Sequence, residues 1–259
     1  MILKQIKVFF KYRNLLKKLV VRDIKVRYRK SFLGLAWTIL NPLLMMMILN
    51  LVFSNIFKSD INNFPVYLLI GNIIFNFNSE ATSQAMNSII INSSLIKKIY
   101  IPKYLFPLSK VISCLINIGF SLIALLIVMI ITNSRFHITL ITLWIPMLYL
   151  LMFIVGLSLT LSSINVYFRD MGHLYSIFIT AWMSMTPIFY SINILPDNLK
   201  SLININPMYH FVTFFRKIIL DGVFPDSNEN ILCFFIGFLS LNIGIFIFKK
   251  TQDNFILYI

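Results

Sequence analysis

The sequence is short of charged residues, and above all of acidic ones. Charged residues make up 12% of the 259, and only nine are Asp or Glu, whereas an average soluble domain has about a quarter charged residues. Hydrophobic residues make up 58% and fall in long unbroken runs. Such runs predict membrane-spanning helices, because the strands of a membrane barrel alternate apolar and polar residues. We therefore expect an all-α integral membrane protein with no room for a large soluble domain.

Residue types that commonly carry chemistry are scarce as well. Cys114 and Cys233 both lie in apolar runs, and their spacing suits neither a metal site nor a disulfide framework. The three histidines, His137, His173 and His210, are scattered, so we predict no catalytic residue and no metal site. The phosphate-binding loop G-x-x-x-x-G-K-[ST] is absent. The chain is expected to be no enzyme and to hold no cofactor, so any ATP-driven step would need another chain.

The positive charge is concentrated at one end. The formal net charge is +14, and eleven of the 23 Lys and Arg fall within the first 30 residues. A nucleic-acid partner would fit the net charge but not this distribution. A basic cluster just before the first apolar run is typical of a cytoplasmic end held by the positive-inside bias and by anionic lipid. We predict membrane lipid, and no nucleic acid, as the partner.

Residues 14–30 have the pattern of an amphipathic helix. Lys18, Arg22, Lys25 and Arg29 are spaced by three or four residues, so they share one narrow face. A helix of this kind lies on the membrane surface, and the basic residues place it on the cytoplasmic leaflet.

Six apolar runs follow. We predict a cytoplasmic segment over 1–31, a transmembrane domain over 32–248 and a cytoplasmic tail over 249–259. The predicted spans lie at about 32–57, 64–88, 105–131, 138–166, 173–190 and 231–248. With both termini inside, 18 basic residues fall on cytoplasmic segments and five on outer ones, as the positive-inside rule requires.

The longest polar interval lies between the fifth and sixth predicted spans. Residues 208–220 within it are helix-like, but they are too few and too charged to cross a hydrocarbon core of about 30 Å. Such a segment suits a re-entrant or interfacial helix, and we predict extracellular re-entrant helices over about 193–222.

The second predicted span has a polar second half. Between Asn76 and Asn87 it carries amide, hydroxyl and acidic side chains, so this part must face protein, a water-filled path or the cytosol. Glu80 is the one acidic residue within a predicted span. An intramembrane carboxylate is often functional, but its polar neighbours favour a structural role as a solvated or helix-bonded side chain.

Arg27, Arg29 and Lys30 lie nearest the entrance of the first span. The basic helix could bind anionic lipid in general, a phosphorylated lipid-linked substrate or a partner protein, and a lipid anchor is the favoured role. Because a planar guanidinium matches phosphate geometry, our hypothesis is that these three residues contact a substrate headgroup.

Five dispersed motifs resemble those of one family. They are Arg22-Asp-Ile-Lys-Val-Arg-Tyr-Arg-Lys-Ser-Phe-Leu-Gly-Leu-Ala-Trp37 with Asn41-Pro42, Leu95-Ile-Lys-Lys-Ile-Tyr-Ile-Pro102, Asn165-Val-Tyr-Phe-Arg-Asp170, Thr186-Pro-Ile-Phe-Tyr190 and Asn206-Pro207. Together they resemble ABC-2-type permeases that export bacterial surface polysaccharides, and they cover essentially the whole chain in order.

The resemblance implies a homodimer of permease subunits with two copies of a separate ATPase, which would bind ATP and Mg²⁺. It places the protein in the bacterial cytoplasmic (inner) membrane as a multi-pass protein. The implied substrate is a polysaccharide on a polyprenyl (pyro)phosphate, such as O-antigen, rhamnan or teichoic acid.

The resemblance also implies two contacts with the ATPase. A coupling helix over about 94–100 would dock into it, and the turn with Arg169 and Asp170 would form a second contact. The residues of the coupling helix are Ser94, Leu95, Ile96, Lys97, Lys98, Ile99 and Tyr100. The re-entrant helices would lie near the extracellular gate.

Aromatic residues make up 15% of the chain, and most are expected in membrane packing and interface belts. A subset could line a sugar path, because flat rings stack on pyranose faces. Our hypothesis for this subset is Tyr67, Phe75, Trp182, Phe189 and Tyr190.

Three rival functions stay open. An ABC-2 exporter of a drug or small lipid would share the topology but usually carries less of the basic entrance signature. A membrane glycosyltransferase or acyltransferase would need clustered acidic or histidine residues at a membrane face. An ion-coupled transporter would need several intramembrane carboxylates or an inverted repeat, whereas the sequence has one such carboxylate and no convincing repeat.

Overall fold

The computed structural model describes residues 2–28, 34, 36–57, 61 and 63–259, with side chains described for 11–27, 34, 36–52, 61 and 63–259. Every regular element within these ranges is helical, which confirms the all-α prediction for them. The α-helices are α1 Ile2–Tyr28, α2 Ala36–Phe57, α3 Phe64–Ile91, α4 Ser93–Lys98, α5 Leu105–Ile131, α6 Trp144–Tyr167, α7 Met171–Met185, α8 Asp197–Ile205, α9 Pro207–Arg216, α10 Ser227–Thr251 and α11 Phe255–Tyr258. Short 3-10 helices occupy Ile138–Leu143, Ile192–Ile194 and Gln252–Asn254, and a π turn covers Lys217–Asp221.

Three helical segments in the described part of the chain are long and apolar enough to cross a membrane. They are Leu105–Ile131, Ile138–Tyr167 and Ser227–Tyr258, and Ala36–Val52 is a shorter apolar helix. Helix α3 has 28 residues, but its second half is polar. Helix α7 has 15 residues, which cover about 22 Å of a hydrocarbon core of about 30 Å. Six spans with both termini inside therefore stay a prediction.

Helix α1 is longer than its sequence pattern predicts. It begins at Ile2, well before residue 14, because no proline or glycine interrupts it. Its buried side chains include Leu16 and Leu19, which pack in one apolar cluster with Phe106 of α5. The apolar side of this amphipathic helix therefore packs on the helix bundle.

Helix α3 lies at the centre of the bundle. It contacts α2, α5, α6, α7 and α9, and most of its side chains are buried. The Thr82 and Tyr175 hydroxyls are 2.7 Å apart and join it to α7. Asn165 of α6 donates from Nδ2 to the Met86 carbonyl oxygen at 3.1 Å. The polar half of α3 thus meets protein partners, as its composition predicts.

Helices α6 and α10 approach closely along small residues. A Cβ atom on Gly244 would overlap the carbonyl oxygen of Gly156, and one on Gly156 would overlap the backbone of Ser240. Gly237 meets the backbone of α6 in the same way. The Ser240 hydroxyl also donates to the Phe153 carbonyl oxygen at 2.9 Å. Small residues that let backbones touch are typical of membrane helix packing.

Helix α7 ends before the predicted end of the fifth span at residue 190. Its last residue is Met185, and Thr186 is extended with φ −94° and ψ 127°. The reason is Pro187, because the residue before a proline avoids helical geometry. Helices α8 and α9 and the π turn that follows them occupy the interval predicted for re-entrant helices.

The α6–α10 contact generates a prediction. Gly244→Ala should destabilise the protein, because the added methyl group would overlap Gly156 and push the two helices apart. Overpacking of this kind typically costs about 1–3 kcal/mol, so we expect the Tm of the detergent-purified protein to fall by several degrees. Gly119→Ala in α5 is the matched control, since no atom lies within 4 Å of the new methyl. An equal loss of Tm in both variants would contradict the prediction.

Candidate functional site

A cleft of about 730 Å³ opens between helices α2, α3 and α5. Its lining consists of Arg27 of α1, Trp37, Thr38, Asn41, Pro42 and Met45 of α2, Asn72, Ile73, Asn76, Phe77, Ser79, Glu80 and Ser83 of α3, and Cys114, Asn117, Ile118 and Ser121 of α5. On each helix the polar lining residues recur at intervals that keep them on one face. Most of these polar groups are hydroxyls and amides, and apolar side chains such as Ile73, Phe77 and Ile118 line the cleft beside them.

Arg27 lies at the edge of the cleft and pairs with Glu80 of α3. Arg27 Nη2 is 2.5 Å from Glu80 Oε1, with 29% and 41% of the two side chains exposed. Gln84 Nε2 donates to the same carboxylate oxygen at 3.0 Å. Glu80 is thus ion-paired and bonded within its own helix, next to a cleft. Arg29 and Lys30, the other predicted headgroup contacts, lie outside the described residues.

Two further polar contacts fix the same end of α1 to the bundle. Lys110 Nζ of α5 lies 2.9 Å from Asp23 Oδ2, and both side chains are largely buried. Arg22 Nη1 donates to Asn92 Oδ1, at the end of α3, at 3.2 Å. These contacts set the place of Arg27 beside the cleft.

Helix α4 is shorter than the predicted coupling helix over 94–100. It spans Ser93–Lys98, so Ile99 and Tyr100 extend beyond its end, where they are 56% and 92% exposed. Ile96 is buried in an apolar cluster with residues of α1, α5 and α6. Of the other predicted coupling residues, Leu95 is half-buried and Ser94, Lys97 and Lys98 are exposed. The segment therefore divides into a buried anchor and an exposed surface.

The C-terminal end of the chain packs against the turn between α6 and α7. The Tyr167 hydroxyl donates to the Thr251 carbonyl oxygen at 3.0 Å, and the Tyr167 ring centroid lies 4.6 Å from that of Tyr258. Arg169 Nη2 donates to the Tyr258 carbonyl oxygen at 3.3 Å. Arg169 and Asp170 are both exposed. The C-terminal end of the chain therefore holds this turn in place, while its charged side chains stay accessible.

Lys103 connects the same C-terminal end to the segment after α4. Its ammonium donates to the Gln252 carbonyl oxygen and lies 5.7 Å from the centroid of the Phe255 ring. Burial lowers the pKa of Lys103, and the nearby Asp253 carboxylate opposes that shift. Phe255 belongs to the same apolar cluster as Ile96. The two predicted ATPase contacts therefore lie on one end of the bundle, around a shared cluster.

Two of the sequence motifs meet at the other end of the bundle. Asn206 Nδ2 donates to Thr186 Oγ1 at 2.9 Å, and Asn206 Oδ1 accepts from Trp182 Nε1 at 2.7 Å. The same oxygen accepts from the Met208 amide at 3.0 Å and so caps α9. Asn206 thus joins the broken end of α7 to the start of α9.

Arg216 holds the same region together from the end of α9. Its side chain is buried, and its guanidinium donates to the Tyr67, Pro187 and Ile188 carbonyl oxygens at 2.8–3.3 Å. The guanidinium carbon lies 3.3 Å from the centroid of the Tyr67 ring, a cation–π contact. Because arginine stays charged in proteins, these carbonyl oxygens are what satisfies the buried charge.

The five predicted path aromatics lie apart from the cleft. Phe75 is fully buried, with its ring centroid 6.1 Å from that of Trp182. Tyr67 stacks under Arg216 and donates from its hydroxyl to the Tyr190 carbonyl oxygen at 3.0 Å. Phe189, Tyr190 and Trp182 are half-buried. Tyr67 and Phe75 thus have packing contacts in this conformation, and the sugar-path assignment stays a prediction.

The family can be assigned from the full length of the chain. The family model for the ABC-2 type transporter matches residues 14–220. The chain belongs to the ABC-2 transporter family. This ABC-2 protein is 30% identical over 257 residues to the O-antigen export system permease protein RfbA of Myxococcus xanthus, with 98% of both chains covered.

Other relatives of this ABC-2 protein have related names. It is 29% identical over 247 residues to the O-antigen export system permease protein RfbA of Klebsiella pneumoniae, with 93% of both chains covered. It is 25% identical over 244 residues to the polysialic acid transport protein KpsM of Escherichia coli, with 91% of this chain and 92% of the relative covered. The family resemblance drawn from the five motifs is confirmed.

The cleft and the Arg216 site were not predicted from the sequence. The signal for the cleft was a row of polar residues on α3, where Asn72, Asn76, Ser79 and Ser83 recur at helical spacing. Which faces of α2 and α5 line the cleft depends on tertiary packing, which the spacing of residues does not show. Among the described residues, no three His, Cys, Asp or Glu side chains come together as a metal site would need.

The Arg216 site generates a prediction. Arg216→Met should destabilise the ABC-2 fold by about 2 kcal/mol or more, because buried carbonyl oxygens would lose their donors. The neighbouring Lys217→Met is the matched control. It removes a partly exposed ion pair with Glu229 at 2.6 Å, so it should cost less than about 1 kcal/mol. The measurement is thermal unfolding in detergent, and a wild-type Tm for Arg216→Met would refute the assignment.

Proposed function

We propose that this ABC-2 permease is the membrane subunit of an ATP-driven exporter of lipid-linked polysaccharide. The main support is similarity along nearly the whole chain to O-antigen export permeases. The named relatives export O-antigen or transport polysialic acid, which favours polysaccharide over a drug or small lipid as the cargo. The proposed direction is from the cytoplasm to the outer face of the bacterial cytoplasmic membrane.

The proposed working unit contains two copies of this chain and two copies of an ATPase subunit. The chain has no P-loop, so ATP and Mg²⁺ would bind to the ATPase. We place six spans in each copy, with both termini in the cytoplasm. The concentration of Lys and Arg before the first span supports this orientation.

A row of hydroxyls on α7 supports a polar path between the two copies. Ser176, Thr180 and Ser184 are spaced by four residues and exposed. Each hydroxyl donates to a carbonyl of its own helix, at 2.7, 3.0 and 3.2 Å respectively. An exposed polar row gains nothing from lipid, whereas two such rows facing each other would line a hydrophilic path. Three of the predicted path aromatics lie nearest to this row in the sequence: Trp182 on α7, and Phe189 and Tyr190 just after it.

Substrate would enter at the cytoplasmic end of the cleft. We assign the phosphate of the lipid carrier to Arg27, together with Arg29 and Lys30 from the same sequence stretch. The partly exposed position of Arg27 at a cleft lined in part by amides and hydroxyls supports this assignment. A guanidinium can bind two phosphate oxygens at once, which suits a headgroup guide.

Closure of the ATPases on ATP binding would reach the spans through the surface around α4. Ile99 and Tyr100 are its exposed apolar residues, and Arg169 and Asp170 would form the second contact. Ile96 is buried and anchors α4 to the bundle. A change at Ile96 would therefore disturb the permease itself and could not isolate ATPase docking.

The coupling assignment predicts a selective loss of assembly. Replacing Ile99 and Tyr100 with Asp should reduce co-purification of the ATPase at least about tenfold, because charge would replace apolar contact area. Ile205→Asp is the matched control, since Ile205 is an equally accessible apolar residue at the end of α8. Both proteins should be produced at the wild-type level. Undiminished co-purification of the Ile99/Tyr100 variant would rule out this surface.

The proposed cargo predicts a cellular phenotype. Depletion of the chain should leave lipid-linked polymer inside the cell and remove the polymer from the surface. Extracted lipid-linked glycan and surface staining with a glycan-specific antibody or lectin measure the two pools. Re-expression of the wild-type chain should restore the surface pool. A normal surface pool after depletion would overturn the proposed function.

A further inference from the structure

We infer that the cleft between α2, α3 and α5 is a glycan-binding subsite, which holds the sugars next to the phosphate of the transported molecule. This inference rests on the proposed function, because it takes the cargo to be a lipid-linked polysaccharide. It adds a second binding region beside the basic residues at the membrane surface.

The chemistry of the lining matches neutral sugars. Asn72, Asn76 and Ser83 on α3 and Asn117 and Ser121 on α5 offer amide and hydroxyl groups that both donate and accept hydrogen bonds. Sugar hydroxyls also both donate and accept hydrogen bonds, so each can pair with these lining groups as a donor or as an acceptor. Neighbouring amides already pre-orient one another, since Asn76 Nδ2 donates to Asn72 Oδ1 at 2.8 Å.

One wall of the cleft offers a flat ring. Trp37 of α2 is 43% exposed and lines the cleft on the same helix face as Asn41 and Met45. An exposed indole presents an apolar face of the kind that packs on the C–H side of a pyranose, while its neighbours supply polar contacts. Aromatic surface together with a few polar groups is the usual make-up of a small-molecule site.

Other ligand classes fit this lining less well. A hydrocarbon chain would pack on the apolar lining but offer no hydrogen bond to the amide and hydroxyl groups that face the cleft. A multiply charged anion would need several cations, and among the described residues the charged side chains that line the cleft are Arg27 and Glu80, which pair with each other. A neutral sugar needs no excess of cations, and its hydroxyls can pair with the polar groups of the lining.

The dimensions fit a short stretch of sugar chain. The volume of about 730 Å³ lies within the range of roughly 300–1,000 Å³ of ligand pockets. The polar stripe from Asn72 to Ser83 runs for about 16 Å along α3, at 1.5 Å per residue. That length exceeds a single ring, so the site would hold sugars in series along the helix.

The Arg27–Glu80 pair explains how glycan and phosphate would bind together. A phosphate reaching Arg27 would replace the Glu80 carboxylate as its anion, and Gln84 would keep its hydrogen bond to Glu80. Both partners are partly exposed, so the exchange removes only a weak ion pair. With the phosphate at Arg27, the attached sugars would lie directly over the stripe of α3.

Photo-crosslinking in the complete complex tests this subsite. Benzoylphenylalanine would replace Met45, which lines the cleft, and in a second protein Phe246, which is exposed on α10 outside it. ATP hydrolysis would be blocked in the partner ATPase to stall transport. We expect the position 45 crosslink to carry glycan, detected by a glycan-specific antibody, at least about tenfold above position 246. Equal labelling at both positions, or a crosslink to a lipid without sugar, would overturn the inference.

A matched pair of substitutions provides the functional test. Asn76→Leu removes an exposed amide in the cleft, and Asn242→Leu removes an exposed amide on α10 that donates only within its own helix, to Phe238 O at 2.7 Å. We expect export to fall at least about tenfold for the first and less than about twofold for the second. If Asn76→Leu is poorly produced, the crosslinking result decides alone.

The outcomes separate the two proposals. Normal export by Asn76→Leu, with no glycan crosslink at position 45, would remove the subsite and leave the proposed function standing. Failure of the wild-type chain to restore surface polysaccharide would remove the proposed function itself.

Discussion

Polar groups that this chain places among its helices must find partners within the protein, because hydrocarbon supplies none. This constraint decides the position of α3. Its second half carries amides and hydroxyls that lipid would leave unsatisfied, and helices α2, α5, α6, α7 and α9 surround it. Some of its polar groups pair with Tyr175 and Asn165, and others line the cleft. The polar groups that line the cleft are thus those that the surrounding helices leave unpacked.

The same constraint explains why the chain breaks where it does near α9. Ending α7 at Met185 frees carbonyl groups, and Arg216 supplies donors for those of Pro187 and Ile188. Asn206 accepts from the Met208 amide at the start of α9 and donates to the Thr186 hydroxyl. The side chains of Arg216 and Asn206 therefore supply hydrogen bonds at the break between α7 and α9.

The sequence was sufficient for features that depend on local chemistry. The long apolar runs predicted an all-α chain, which the described residues confirm. It was insufficient for features that depend on neighbours. Spacing predicted an amphipathic helix over residues 14–30, but not that its apolar side packs against Phe106. The family resemblance grouped Ile96 with Ile99 in one coupling helix, although Ile96 is buried and Ile99 is exposed. Arg27 was chosen for its place in the chain, and its partner Glu80 became visible only in three dimensions.

The backbone contact between α6 and α10 has a consequence for motion. Where Gly156 and Gly244 touch, sliding along the helix axis would drive Cα atoms of one helix into the carbonyl oxygens of the other. Side-chain rotation cannot relieve such a clash, since glycine has no side chain. We expect α6 and α10 to move together as one rigid unit, so that conformational change during a transport cycle occurs at other helix contacts.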